Sequence, residues 1–125
     1  MYFSIDPSNG VPIYEQLVRQ VKFAVADKVL VAGQMLPSVR NLAQELAINP
    51  NTISKAYAQL QTEQVLEPLR GRGLVVRPDA VNRCTKARQE LLSVRLNAVL
   101  EECLHAGLSR EEVTTMFEKA LSALA

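Results

Sequence analysis

The chain has 125 residues, 48% of them apolar and 22% charged, and a formal net charge of +1. That is the size of one domain, or of one domain with an appendage, with enough apolar residues for a modest core and too many for a disordered chain. No apolar run approaches the roughly 18–20 residues a membrane span needs, and Met1-Tyr2-Phe3-Ser4-Ile5-Asp6 lacks the basic start and apolar stretch of a signal peptide, so a cytoplasmic protein without membrane contact is expected.

Tyr2, Phe3 and Ile5 precede a turn-rich Asp6-Pro7-Ser8-Asn9-Gly10 and read as an extended lead-in. A first helix should open at Pro12, whose missing N–H is not needed in a first turn. Ile13, Leu17, Val21, Ala24 and Val25 then recur at helical spacing, and the pattern fades near Lys28 before the turn at Gly33. This helix is scaffold.

Ser38 is a suitable N-cap for a second, short helix whose apolar face is Leu42, Ala43 and Leu46. Arg40 lies in its first turn, where a cation is unfavourable unless an external anion such as a phosphate lies nearby. A third helix can be capped by Asn49 with Pro50 at its first position, and Ile53, Ala56, Tyr57 and Leu60 make its buried stripe. Asn51, Lys55, Ala58 and Thr62 centre the opposite face, with Thr52, Ser54 and Gln59 beside them. The first half of that face offers amide, hydroxyl and ammonium donors and no acid, the chemistry that meets phosphates and base edges. A merely solvated face more often mixes in Asp or Glu, which here wait until Glu63.

Val65-Leu66-Glu67-Pro68-Leu69 and Leu74-Val75-Val76 read as two short strands around Arg70-Gly71-Arg72-Gly73. The glycines allow the positive φ a tight hairpin needs, and the two arginines put charge on a slender tip able to enter a minor groove. Helix, turn, helix and charged hairpin in this order describe a winged helix-turn-helix for duplex DNA.

The ordered pieces Leu36-Pro37-Ser38-Val39-Arg40-Asn41-Leu42-Ala43, Asn51-Thr52-Ile53-Ser54-Lys55-Ala56-Tyr57 and Gly71-Arg72-Gly73 resemble the DNA-binding half of the GntR family of bacterial repressors. The resemblance covers roughly residues 10–77. It implies that Ser38 and Arg40 hold phosphates and that Asn51, Thr52 and Lys55 face the major groove. Ser54 flanks that face, and Arg72 with Gly71 and Gly73 forms the wing tip, beside Arg70. Two departures stand out: Gln64 replaces a frequent glycine, and Leu74-Val75-Val76 replaces Thr-Phe-Val, removing a hydroxyl.

Charge follows the same division. Residues 1–78 hold eight Lys/Arg against six Asp/Glu, and residues 79–125 hold six against seven. Arg77, Arg83, Lys86, Arg88 and Arg95 continue the basic run, and those beyond Pro78 read equally as a solvated helix face or as further contacts. Asp79 can cap a fourth helix with one apolar stripe of Cys84, Ala87, Leu91, Val94 and Ala98, and a second of Leu92, Leu96, Val99 and Cys103. Gly107 suits its end, and Ser109-Arg110-Glu111-Glu112 is a capping box for a fifth helix with Val113, Met116, Phe117, Ala120, Leu121 and Leu124 on its apolar side.

Two adjoining stripes are wider than one small winged helix can cover. The expected division is therefore a winged helix-turn-helix over residues 1–78 and a two-helix dimerisation tail over 79–125. In that tail Leu91, Leu92, Leu96, Val99, Met116, Phe117 and Leu121 would meet a second copy. A twofold dimer sets two recognition helices about 34–36 Å apart, matching paired operator half-sites. So short a tail resembles the YtrA-type branch of the family, whose members often regulate transporter operons. Any small-molecule effector, of unknown identity, would have to bind at the dimer interface or between tail and winged helix.

Cys84 and Cys103 lack metal-ligand spacing and read as small apolar side chains, so no metal or other cofactor is expected. With one His, no catalytic pairing and no phosphate loop, an enzyme is not indicated. The fold expected is mainly α with a small β-hairpin. The function expected is a sequence-specific DNA-binding transcription regulator, a homodimeric repressor with a transporter operon and its own gene as candidate targets, and a winged-helix protein-interaction module as the alternative.

Overall fold

The computed structural model describes residues 3–124. The elements are α1 (Ile13–Ala26), α2 (Val39–Leu46), α3 (Pro50–Thr62), β1 (Leu66–Leu69), β2 (Gly73–Val76), α4 (Ala80–His105) and α5 (Arg110–Leu124). The architecture is mainly helical with one hairpin, as the periodicity predicts. Two compact units divide the chain, the first reaching Arg88 and the second beginning at Gln89.

The first unit is built around Leu17, Val21, Val25, Leu30, Leu42, Ile53, Ala56, Leu60, Leu66 and Val76, each almost wholly withdrawn from solvent. The stripe Ile53, Ala56, Tyr57 and Leu60 is buried as the 3.6-residue repeat requires. In α1 the buried set is Gln16, Leu17, Val18, Val21 and Val25, while Ile13 and Ala24 are only half-buried. Gln16 is a polar side chain inside an apolar stripe, and it is satisfied. Its Oε1 accepts from Asp6 N, and its Nε2 donates to the carbonyls of Asp6 and Val11 and to Asn9 Oδ1. That one amide organises the lead-in turn. Phe3 is buried in the core; Tyr2, grouped with it by sequence, lies outside the described residues.

Three helices of this unit end alike. In each, a residue in the left-handed region follows the last turn: Lys28, Ala47 and Gln64, with φ of 61°, 55° and 61°. The next amide reaches back to close the turn, Val29 to Ala24 O, Ile48 to Ala43 O and Val65 to Leu60 O, at 2.8, 3.0 and 2.9 Å. These are Schellman caps without glycine. Gln64 therefore takes the strained conformation a glycine takes freely, and its carbonyl also accepts from Arg83 at 2.9 Å.

β1 and β2 pair antiparallel, with Leu66 opposite Val76 and Leu69 opposite Gly73. Residues 33–36 run along the other edge of β2: Leu36 N donates to Leu74 O, Gly33 N to Val76 O, and Met35 bridges Val75. This third, bridge-length edge ties the wing to the segment leading into α2. Sequence reading saw only a turn at Gly33.

The first unit also extends past Pro78. Ala80 and Cys84 are fully buried in its core, so the first turns of α4 belong to this unit. Arg88 caps this region through an ion pair with Asp27, and Arg77 and Arg83 both pair with Asp79.

The second unit holds the remainder of α4, then α5. Gly107, at φ 91°, ends α4 with the same cap, Leu108 N reaching Cys103 O at 3.2 Å. The capping box is formed in both directions: Glu112 N donates to Ser109 Oγ and Ser109 N to Glu112 Oε1. No residue of α5 is buried. Leu96, Val99, Leu100 and Cys103 line an apolar groove of about 210 Å³ with Val113, Met116, Phe117 and Ala120. Among the described residues no helix is long and apolar enough to cross a membrane.

Candidate nucleic-acid interface

Three local structures present the candidate groups. At the start of α2, Ser38 Oγ accepts from Asn41 N at 3.1 Å, so the hydroxyl caps the helix while its residue stays exposed. Arg40 stands exposed in the same first turn, with no carboxylate within ion-pair distance among the described residues. At the start of α3, Asn49 Oδ1 accepts from Asn51 N at 2.8 Å and Pro50 takes the first position. Asn51, Ser54 and Lys55 are exposed and Thr52 half-buried.

The two halves of α3 differ in what their polar side chains do. In the second half Gln59 donates to Glu63 at 2.8 Å, and the Thr62 hydroxyl to Ala58 O at 3.0 Å. In the first half no side chain of Asn51, Thr52, Ser54 or Lys55 is hydrogen-bonded within the chain, among the described residues. Donors left without internal partners on an exposed face are available to a ligand.

The hairpin supplies the third group. Arg72 N donates to Leu69 O at 2.8 Å to close the turn, and Gly71 and Gly73 stand at φ 74° and 123°. Arg70, Gly71, Arg72 and Gly73 are all exposed. Ser38, Asn41, Tyr57, Arg72 and Gly73 share a cleft of about 480 Å³ between the α2 N-terminus and the wing. The structure thus brings the capping serine and the wing arginine together. The link is made rigid by Tyr57, whose hydroxyl donates to Pro37 O at 2.7 Å. Burial, with a smaller push from the charge of Glu45, lifts this phenol above its ordinary range, so it stays a donor.

Pairing separates the basic residues. Arg19, Lys22, Arg77, Arg83 and Arg88 each have a carboxylate partner: Glu15, Glu63, Glu67 with Asp79, Asp79, and Asp27. The Arg83 hydrogen bond, with help from Arg77, holds the Asp79 carboxyl well below the usual carboxylate range. Arg40, Arg70 and Arg72 have no such partner among the described residues. Of the run past the wing, Arg77, Arg83 and Arg88 therefore serve internal contacts, while the cations at the α2 start and the wing keep their charge uncompensated.

Sequence reading missed two contributors, Tyr57 as a tether and Tyr14, whose ring lies under Lys55 with Nζ 3.9 Å from the ring centroid. Both act across elements far apart in the chain, where no local pattern signals them. Among the described residues no three His, Cys, Asp or Glu side chains are grouped as a metal would need.

The seven tail residues do not all meet. Leu96, Val99, Met116 and Phe117 line the apolar groove, whereas Leu91, Leu92 and Leu121 do not. All are exposed except Leu91, which is half-buried.

Known proteins share this fold. Residues 13–76 match the model of the bacterial regulatory proteins of the gntR family. The HTH-type transcriptional repressor YtrA of Bacillus subtilis is 36% identical over 109 residues, 87% of this chain and 84% of that protein. A transcriptional regulator from Oenococcus oeni superposes with a TM-score of 0.80 at 31% identity, covering 96% of this chain and 99% of its own. YtrA from Sulfolobus acidocaldarius, a GntR-family transcription factor, superposes with a TM-score of 0.58 at 26% identity, covering 97% of both chains.

Proposed function

As a member of the GntR family with YtrA-type relatives, the chain is a DNA-binding transcription regulator and not an enzyme, and we propose that it acts as a homodimeric repressor on paired half-sites. The observation that carries the DNA side of this reading is the division of polar groups just described. Asn51, Thr52, Ser54 and Lys55 on α3, Ser38 and Arg40 on α2, and Arg70 and Arg72 with Gly71 and Gly73 on the wing are the proposed contacts. Phosphate contacts from Ser38, Arg40 and the wing would fix register, and the first half of α3 would read base edges.

The dimer rests on the second unit, where Leu92, Leu96, Val99, Met116, Phe117 and Leu121 expose apolar surface that a monomer gains nothing by leaving in water. Repression rests on the name of the B. subtilis relative. Resemblance to YtrA-type regulators favours a transporter operon and the protein's own gene as targets, with any small-molecule effector taken up beside the tail, in the cytoplasm.

The test is fluorescence anisotropy on duplex from upstream of the coding region and on random duplex, at two salt concentrations. A preference of about 10³-fold or more, at two protomers per site, is expected. Equal, weak binding on both duplexes that salt abolishes would reject an operator there.

A further inference from the structure

We propose that Tyr14 of α1 is a positioning residue for DNA recognition, holding Lys55 on the operator-facing side of α3 without using up its charge. The inference rests on the assignment of Lys55 to the DNA interface made above.

Lys55 is the one cation on the outer face of α3, and a lysine side chain left free samples many rotamers that binding must freeze. Here its ammonium sits 3.9 Å from the centroid of the Tyr14 ring, well inside the range of a cation–π contact. Tyr14 is itself half-buried and packed against the core, so the ring is a fixed platform. Carboxylates lie in the same region, since Tyr14 shares a cleft with Glu15 and Glu63. Both are engaged elsewhere, Glu15 by Arg19 and Glu63 by Lys22 and Gln59.

The distinction matters chemically. A carboxylate would fix the lysine but cancel its charge and occupy its N–H donors. An aromatic face attracts the cation electrostatically, leaves its full charge and turns no more than part of its N–H donors toward the ring. A lysine held this way meets a phosphate or guanine edge with less side-chain freedom left to lose.

The experiment uses the full chain and a duplex that the wild-type protein selects from a randomised pool, with unselected duplex beside it. Tyr14→Leu should weaken binding to the selected duplex about threefold or more, and Tyr14→Phe, which keeps the ring, should stay within about twofold of wild type. In a Lys55→Ala background Tyr14→Leu should cost nothing further. Proton NMR of the free wild-type protein should show the Lys55 Cε protons shifted upfield by the ring, a shift kept in Tyr14→Phe and lost in Tyr14→Leu.

Fully additive losses, or equal losses in the Phe and Leu variants, would overturn the role of Tyr14 alone. An absent ring-current shift in the wild type would do so without any variant. If Lys55→Ala binds the selected duplex as the wild type does, the assignment of Lys55 has failed and the role of Tyr14 falls with it.

Discussion

The two units of the chain solve the burial problem in opposite ways. The first withdraws Leu17, Leu30, Leu42, Ile53, Leu60, Leu66 and Cys84 almost completely from water and satisfies its one buried amide. The second buries nothing in α5 and leaves Val94, Val99 and Leu121 more than half exposed, at 65%, 54% and 59%. Helices of such length rarely keep so much apolar surface in water for long. The lesson is that the first unit closes its own core, while the second leaves apolar surface that the proposed second copy would cover.

That contrast can be broken most directly in the tail. Leu96→Asp together with Phe117→Asp places charge in the apolar groove. It should convert a dimer to a monomer in sedimentation equilibrium and lower operator affinity by about 10²–10⁴-fold, the gain that linked half-site binding gives. A wild-type chain already monomeric at micromolar concentration would refute the dimer. In the first unit, Leu60→Ala should cost about 2–5 kcal/mol in denaturant unfolding, because it empties the centre of a closed core. A loss under about 1 kcal/mol would mean that this core is not the source of stability claimed for it.

The smallest effect sharpens the comparison at the helix ends. Four helices use the same cap, yet only the one in the second unit has glycine at the left-handed position. The left-handed conformation costs a residue with a side chain about 1–2 kcal/mol, and a new glycine loses about 0.5–1 kcal/mol to chain entropy. Gln64→Gly should therefore raise the unfolding free energy by about 0.5–1 kcal/mol, read in the same titration. An unchanged or lowered value would show that the Gln64 side chain contributes something its exposure conceals.

These sites also mark where sequence stopped being legible. The buried face of α3, the Ser38 and Asn49 caps and the Ser109–Glu112 box could be read because each depends on residues within one or two turns. Gln64 was visible as a departure from the family pattern, but its left-handed backbone was not. The edge at residues 33–36 carries no alternation, being held by backbone bonds to β2 rather than by side-chain pattern. The extent of the first unit was hidden because the stripe starting at Cys84 runs unbroken into Leu91. Only the fold shows that Cys84 packs inward while Leu92 and Leu96 do not. For the candidate interface, sequence found the groups with free donors. It set Arg70 and Arg72 apart as wing contacts but left Arg83 and Arg88 open between a solvated face and further contacts, because the pairing of Arg88 with Asp27 is made only by the fold.

The Gln16 amide has a consequence for how the beginning of the chain behaves. Its two ends are bonded to Asp6, Asn9 and Val11 at once, at 2.7 to 3.1 Å. Peeling away one of these contacts strands part of a buried amide, at about 1–3 kcal/mol for each group left unsatisfied. Partial detachment is thus less favourable than either extreme. The segment from Asp6 to Val11 is therefore expected to seat or release as a whole rather than to fray residue by residue.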